Sequence, residues 1–380
     1  MPPTPITPDL VHGAAELEAT PRGLRPHRLP GWARRQFPDP YLGLMQAQTS
    51  GVRLLVRTAA TALTLTTHPS RLTYTGLARP RGRIDVAVDG EVVLRDELTG
   101  GDHTETDPAT GAATPHSGPP HSTAITGLPG RDVLVEIWLP HNEAVELVAL
   151  DADAPIAAVS EPGRRWVNYG SSISQGSNAA GPSEIWPVLA ARSAGLRLRN
   201  LGFGGNAMVD PFVARTIRDA PAELISLELG INVVNGDAMR LRAFVPAVHG
   251  FLDTVRDGHP DTPLLLVSPL YCGIHEDTPG PGAFDPASLA AGTPRFIATG
   301  DPADVPRGRL TLRTVRAALA EIAAQRADPN LHHLDGTELY GPADAETHPL
   351  PDGLHPDTAT HHLVGTRFAQ YLARAEFRRG

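Results

Sequence analysis

The chain has 380 residues, 41% of them hydrophobic, and 42 acidic against 33 basic residues give a net charge of −9. Every basic residue is arginine, which excludes chemistry that needs a side-chain amine: a pyridoxal Schiff base, a P-loop lysine, a kinase ATP lysine. The acidic balance offers no basic field for nucleic acid or an anionic membrane, and a single cysteine, Cys272, excludes an intramolecular disulfide and a thiolate metal cluster.

The N-terminus has neither the charged start nor the apolar run of a signal peptide, and no later stretch reaches the length of a membrane span, so a soluble cytoplasmic protein is expected. Residues 1–30 are proline-rich and are expected to wrap or lie loose ahead of a sandwich domain at 31–158. Residues 52–57 and 61–67 are apolar or β-branched, and 83–88 alternate with period two. Asp89-Gly90 then turns that run into 91–95, the favoured two-residue hairpin. Beyond a polar, Pro/Gly-rich stretch at 99–122, residues 133–139 and 145–150 supply further strands. Short strands with turns and no helix between them predict an all-β, jelly-roll-like sandwich resembling a carbohydrate-binding module.

From residue 164 the pattern alternates: strands at 166–169, 196–201, 223–229, 263–268 and 331–335, helices at 184–192, 209–220, 238–257, 309–326 and 358–374. Five strands separated by helices predict an α/β domain over 159–380, a parallel sheet with helices on both faces. Sites in such folds lie beyond the carboxyl ends of the strands. Residues 271–308, rich in Pro and Gly, are too long for an ordinary connection and are expected to line or cover the site.

Four strand ends carry candidate chemistry. Gly170-Ser171-Ser172 follows the first strand, where a turn can hold a serine hydroxyl clear of its neighbours. Gly202-Phe203-Gly204-Gly205-Asn206 follows the second, and such glycines let backbone N–H groups approach an oxyanion. The same segment, Gly202-x-Gly204-x-x-Ala207, also fits a dinucleotide fingerprint with Glu228 as ribose ligand, although on the second strand rather than the first. Asn232, after the third strand, offers an amide donor. Asp352-Gly353-Leu354-His355 precedes the last helix, with spacing that lets the carboxylate meet Nδ1 and leaves Nε2 free to take a proton. His348, Asp352, His355, His361 and His362 cluster within the same stretch, and a metal site is the rival reading there.

Taken in this order, the Ser, Gly, Asn and Asp-x-x-His blocks resemble the SGNH, or GDSL-type, esterase and acyltransferase family over roughly residues 164–376. The resemblance implies a flavodoxin-like sheet, a nucleophile at Ser172, oxyanion donors at Gly205 and Asn232, an acid and base at Asp352 and His355, and neither metal nor cofactor. Two departures stand out: the family's usual Gly-Asp-Ser is Gly170-Ser171-Ser172, and its Gly-x-Asn-Asp is Gly230-Ile231-Asn232-Val233. Loss of both acids implies a less anionic site. A sandwich ahead of such a domain occurs both in carbohydrate esterases and in a natural-product acyltransferase.

The expected function is transfer of an acyl group from a small ester or thioester to an alcohol, or to water, through an acyl-Ser172. A carbohydrate or acetyl esterase, an NAD(P)-dependent oxidoreductase and a glycan-binding protein with an inactive second half are the alternatives. Trp32, Trp138, Trp166, Tyr271 and Phe296 are candidate aromatic walls of the pocket, and any anionic substrate group must be met by arginine, His⁺ or backbone amides.

Overall fold

The computed structural model of the chain describes residues 5–77, 79–107, 110–374 and 377. The chain divides into two compact units, one built from the residues up to Arg34, Pro38–Pro162 and Gly181–Ser183, the other from Arg35–Phe37, Gly163–Ala180 and the chain from Glu184 onward. Among the described residues, no helix is long and apolar enough to cross a membrane.

The first unit is a sandwich of a six-stranded and a seven-stranded sheet. Alternation builds it. Along Ala62–Tyr74 the leading residues alternate between half-buried threonines and buried Leu63 and Leu65, and these leucines join Leu54, Val56, Ile84, Val86, Val135, Ile137, Val145 and Leu147 in one apolar cluster fed by both sheets. Arg83–Val88 and Glu91–Glu97 pair antiparallel across Asp89-Gly90, whose positive φ values of 48° and 90° fit the turn that matches strand twist.

One expectation is corrected here. The proline-rich start is part of the sandwich, because Val11–His12 pairs with Arg53–Thr58 and Glu16–Ala19 pairs with Leu24–His27, while Leu10 is buried in the core. The 99–122 stretch also forms strands, with Asp102–Thr106 lying parallel to residues 70–74 and Ala113–His116 exposed along its length.

In the second unit the parallel strands are β1 (Arg164–Gly170), β2 (Leu196–Gly202), β3 (Leu224–Glu228), β4 (Leu264–Val267) and β5 (Leu331–Leu334), in spatial order β2-β1-β3-β4-β5. This is the flavodoxin-like order, whose chain reversal at β1 opens a crevice beyond the carboxyl ends of β1 and β3. Strands β3 and β4 are buried along their whole length, as expected of a sheet covered on both faces. A buried polar chain crosses the sheet. Trp166 Nε1–H donates to Ser226 Oγ at 2.8 Å, Ser226 to Asn168 at 2.8 Å, and the Asn168 amide to Asn200 at 3.1 Å. Asn200 Nδ2 completes it by donating to the Ser174 carbonyl at 2.8 Å. Thus Ser174, two residues after the candidate nucleophile, is tied through β2 to the middle of the sheet.

Candidate active site

β1 ends at Gly170, Ser171 caps the next turn, and Ser172 opens the short helix Ser172–Gln175. Ser171 Oγ accepts from the Ile173 N–H at 3.2 Å, which satisfies one orphan donor of that turn. Close packing seats the helix. A Cβ at Gly202 would lie 2.4 Å from the Gln175 nitrogen, so only glycine lets β2 pass this near. Gln175 Oε1 in turn accepts from the Gly204 N–H at 2.7 Å and pins the glycine turn to the serine helix.

Ser172 is only 8% exposed. Its hydroxyl meets His355 Nε2 at 2.9 Å, and His355 Nδ1 meets Asp352 Oδ2 at 2.7 Å. The carboxylate beside Nδ1 places the imidazole proton there, which leaves Nε2 as acceptor for the Ser172 O–H. Asp352 Oδ1 also accepts from the backbone N–H groups of Leu354 at 2.9 Å and His355 at 2.7 Å, and Oδ2 from Asn178 Nδ2 at 3.2 Å. Burial opposes ionisation of Asp352, but the hydrogen bond and charge of His355 and these N–H donors outweigh it, and the carboxyl is held down at about 2. A hydroxyl bonded to an imidazole that is itself oriented by an ionised carboxylate can be deprotonated for attack on a carbonyl.

Gly205 sits in the turn after β2 with φ +68°, and its N–H has no acceptor among the described residues. Asn232 lies in the helix Ile231–Asn235 after β3, and its Oδ1 accepts from the Ala207 N–H at 3.0 Å. That bond fixes the amide orientation, so Nδ2 is the group left to donate. Ahead of this helix, Gly230 has φ +121°, and a Cβ there would meet Val315 Cγ1 at 2.4 Å. The glycine turn and Asn232 are therefore joined to each other through Ala207 and to the serine helix through Gln175.

Residues 169–363, just over half of the 380-residue chain, match the GDSL-like lipase/acylhydrolase family. The chain belongs to that family. Residues 10–147 match the N-terminal domain of SsfX3. Over 97% of this chain and 96% of the other, the structure is similar to the salicylyl-acyltransferase SsfX3 from a tetracycline biosynthetic pathway, at 29% identity and a TM-score of 0.78. A GDSL-like lipase from Bacteroides ovatus is similar over 96% and 94% at 19% identity and a TM-score of 0.67. A family two carbohydrate esterase from Clostridium thermocellum is similar over 95% and 97% at 12% identity and a TM-score of 0.60. At those identities the last two share the fold. No curated protein sequence matches the chain.

Several residues of this GDSL-like domain lie elsewhere than the sequence suggests. Glu228 is not available to a ribose: it is buried to 2% exposure beneath the nucleophile turn. Its Oε2 accepts from Ser171 N–H at 2.9 Å, Ser171 Oγ–H at 2.9 Å and Ser174 Oγ–H at 3.3 Å. Desolvation pushes this carboxyl up to about 7 despite the three donors. A carboxyl therefore lies beside the nucleophile turn even though positions 171 and 233 carry none.

The dinucleotide reading loses its helix as well, because Gly202 faces Ser172–Gln175 and no helix begins until Pro211. The histidines near Asp352 diverge. His361 is buried and its Nε2–H donates to the Ser177 carbonyl at 3.0 Å, while His362 is exposed and lies 3.9 Å from Glu184. No group of three or more metal-ligating side chains is assembled among the described residues.

Of the aromatic candidates, Trp138 is buried in the sandwich unit under Arg53, and Trp166 is buried in the parallel-sheet core against Phe368 and Trp186. Neither forms a wall of the site. Trp32 belongs to the sandwich unit and Tyr271 to the start of the 271–308 segment, and both are partly exposed. Phe296 does reach the site: its ring meets His355 edge-on with centroids 5.5 Å apart, and its N–H donates to the Asp352 carbonyl at 2.7 Å. It stands on the hairpin formed by Gly282–Phe284 and Phe296–Ala298. Asn178 is the contact that sequence reading missed, and nothing in a lone Asn within a polar turn signals it.

Proposed function

We propose that the protein is a serine-dependent acyltransferase that carries an acyl group from an ester or thioester to the hydroxyl of a small molecule through an acyl-Ser172 intermediate. The hydrogen-bonded sequence Ser172–His355–Asp352 carries the reading. Ser172 Oγ attacks the carbonyl carbon as its proton passes to His355 Nε2. The oxyanion is met by the N–H groups of Ser172 and Gly205 and by Asn232 Nδ2, donors already fixed before substrate arrives. Collapse breaks the bond to the leaving alcohol or thiol, which takes the proton from His355. The acceptor hydroxyl then gives its proton to His355 and attacks the acyl carbon, and the Ser172 oxygen leaves as His355 returns that proton to it.

Likeness to SsfX3 along almost the whole chain supports an alcohol rather than water as acceptor, and a natural-product hydroxyl as its chemical class. The carbohydrate esterases support only the fold. The reading is tested by mass spectrometry of the protein incubated with a panel of acyl thioesters, with and without alcohol acceptors. Expected are an acyl adduct on Ser172, absent from Ser172→Ala, and its faster discharge by an alcohol than by water. Discharge at one rate regardless of alcohol identifies an esterase instead, and an equal adduct on Ser172→Ala overturns the nucleophile.

A further inference from the structure

β3 ends under the turn that carries Ser172, and the side chain it places there belongs to none of the steps above. Glu228 is almost wholly enclosed and has no cationic partner among the described residues. One oxygen, Oε2, gathers three donors, while Oε1 has no hydrogen-bond partner among the described residues. Isolated carboxyls are seldom buried unless a specific contact offsets the cost of leaving water, and here every contact falls on residues flanking the nucleophile. The space is shaped for it: a Cβ on Gly170 would stand 2.7 Å from Glu228 Oε2 and 2.3 Å from Ser174 Oγ.

We propose that Glu228 is a positioning residue of this site. It grips Ser171 and Ser174 on either side of Ser172 and so sets the direction of both the Ser172 N–H and the Ser172 hydroxyl. Asn200 holds the Ser174 carbonyl from β2, and Glu228 holds the Ser174 hydroxyl from β3, so the four-residue helix is clamped across two strands. The pairing also accounts for Ser171 standing where the family's usual aspartate would. An aspartate there would bring a second carboxylate against Oε2 in a dry interior, whereas a hydroxyl donates to it. Errors in nucleophile direction of an ångström are enough to cost on the order of a hundredfold in rate, so this grip acts on kcat.

The inference rests on Ser172 being the nucleophile, and the test separates the two. Using p-nitrophenyl acetate, kcat and KM are measured for Ser172→Ala, Glu228→Leu, Glu228→Gln, Ser171→Ala and the Ser171→Ala/Glu228→Leu double variant, each rate expressed per mole of folded protein. Expected are a kcat loss on the order of 10–100-fold in Glu228→Leu with KM within about twofold. Glu228→Gln, which keeps an acceptor oxygen for the three donors, should recover most of that loss. The double variant should be no worse than Glu228→Leu alone, because both act through one contact. Ser171→Ala, which removes one donor and leaves the carboxyl in place, should lose roughly 3–10-fold in kcat and serves if Glu228→Leu does not fold. Turnover surviving in Ser172→Ala overturns the nucleophile. With Ser172→Ala inactive, wild-type kcat in Glu228→Leu or Ser171→Ala, or additive losses in the double variant, overturns the positioning role alone.

Discussion

Replacing Glu228 by glutamine should shift the stability of the parallel-sheet unit, relative to wild type, in favour of the glutamine variant as the pH rises from acid to alkaline. The carboxyl is raised from 4.5 to about 7 by complete burial. An acid whose folded value lies above its unfolded value binds its proton more tightly when folded. It therefore imposes no penalty below pH 4.5, a growing one between 4.5 and about 7, and a constant one above. At about 1.4 kcal/mol per pH unit the full penalty is about 3 kcal/mol. Glutamine never ionises, and its unpartnered Nε2 adds an offset that does not vary with pH, so it cancels from the comparison.

Denaturant unfolding of both proteins at pH 4.5 and pH 8, followed by a probe of this unit, should show the difference moving by about 3 kcal/mol in favour of glutamine. In melting temperature this is roughly 6–12 °C for a unit of this size. A difference that is the same at both pH values would refute the raised carboxyl and with it the picture of an enclosed, unpaired Glu228.

Asp352→Asn should lower kcat on the order of 10³–10⁴-fold with KM within about twofold, measured with p-nitrophenyl acetate, because the neutral amide no longer fixes the proton on His355 Nδ1. Gly202→Ala should destabilise the unit by roughly 1–3 kcal/mol in denaturant unfolding and depress activity, since its Cβ meets backbone atoms of Ser174 and Gln175 within 2.5 Å. His361, lowered to about 4 by burial, stays neutral in the folded chain while the unfolded imidazole protonates below 6.5. Stability therefore falls by about 3 kcal/mol as pH drops from 6.5 to 4, and His361→Gln should flatten that slope in denaturant titrations at pH 7 and pH 4.5. Phe296→Ala should raise KM for esters of aromatic acids up to tenfold, roughly, while leaving p-nitrophenyl acetate within about twofold, because it removes the ring packed against His355.

The parallel-sheet unit was legible because its apolar runs are long, bounded by glycine and proline, and separated by amphipathic helices. Its strand ends carried the candidate residues in chain order, and Asp-x-x-His announced its own hydrogen bond. The sandwich was legible only where one face is buried. Glu16–Ala19 and Ala113–His116 bury nothing fully, so their side chains carry no period that a reader of sequence can detect. The 102–106 strand pairs parallel with the far half of Ala62–Tyr74, a partnership set by tertiary packing and not by local pattern. Glu228 entered only through the rival dinucleotide reading, since a carboxylate at a strand end suits a ribose as readily as a serine turn. What distinguishes the two is burial, which one residue in a sequence does not reveal.

The Ser172 hydroxyl and the imidazole it bonds are 183 positions apart, and the second arrives in a turn just before the closing helix Thr358–Leu372. A contact this distant in the chain carries a large loop-closure cost, which the rest of the unit has to offset. On the proposed acyl-Ser172 reading, a chain in which this contact is not yet made lacks the base that activates Ser172 and should not be trapped as a dead-end ester. A fluorophosphonate added during refolding should then act as a counter of native molecules, marking only chains in which Ser172 and His355 have already met.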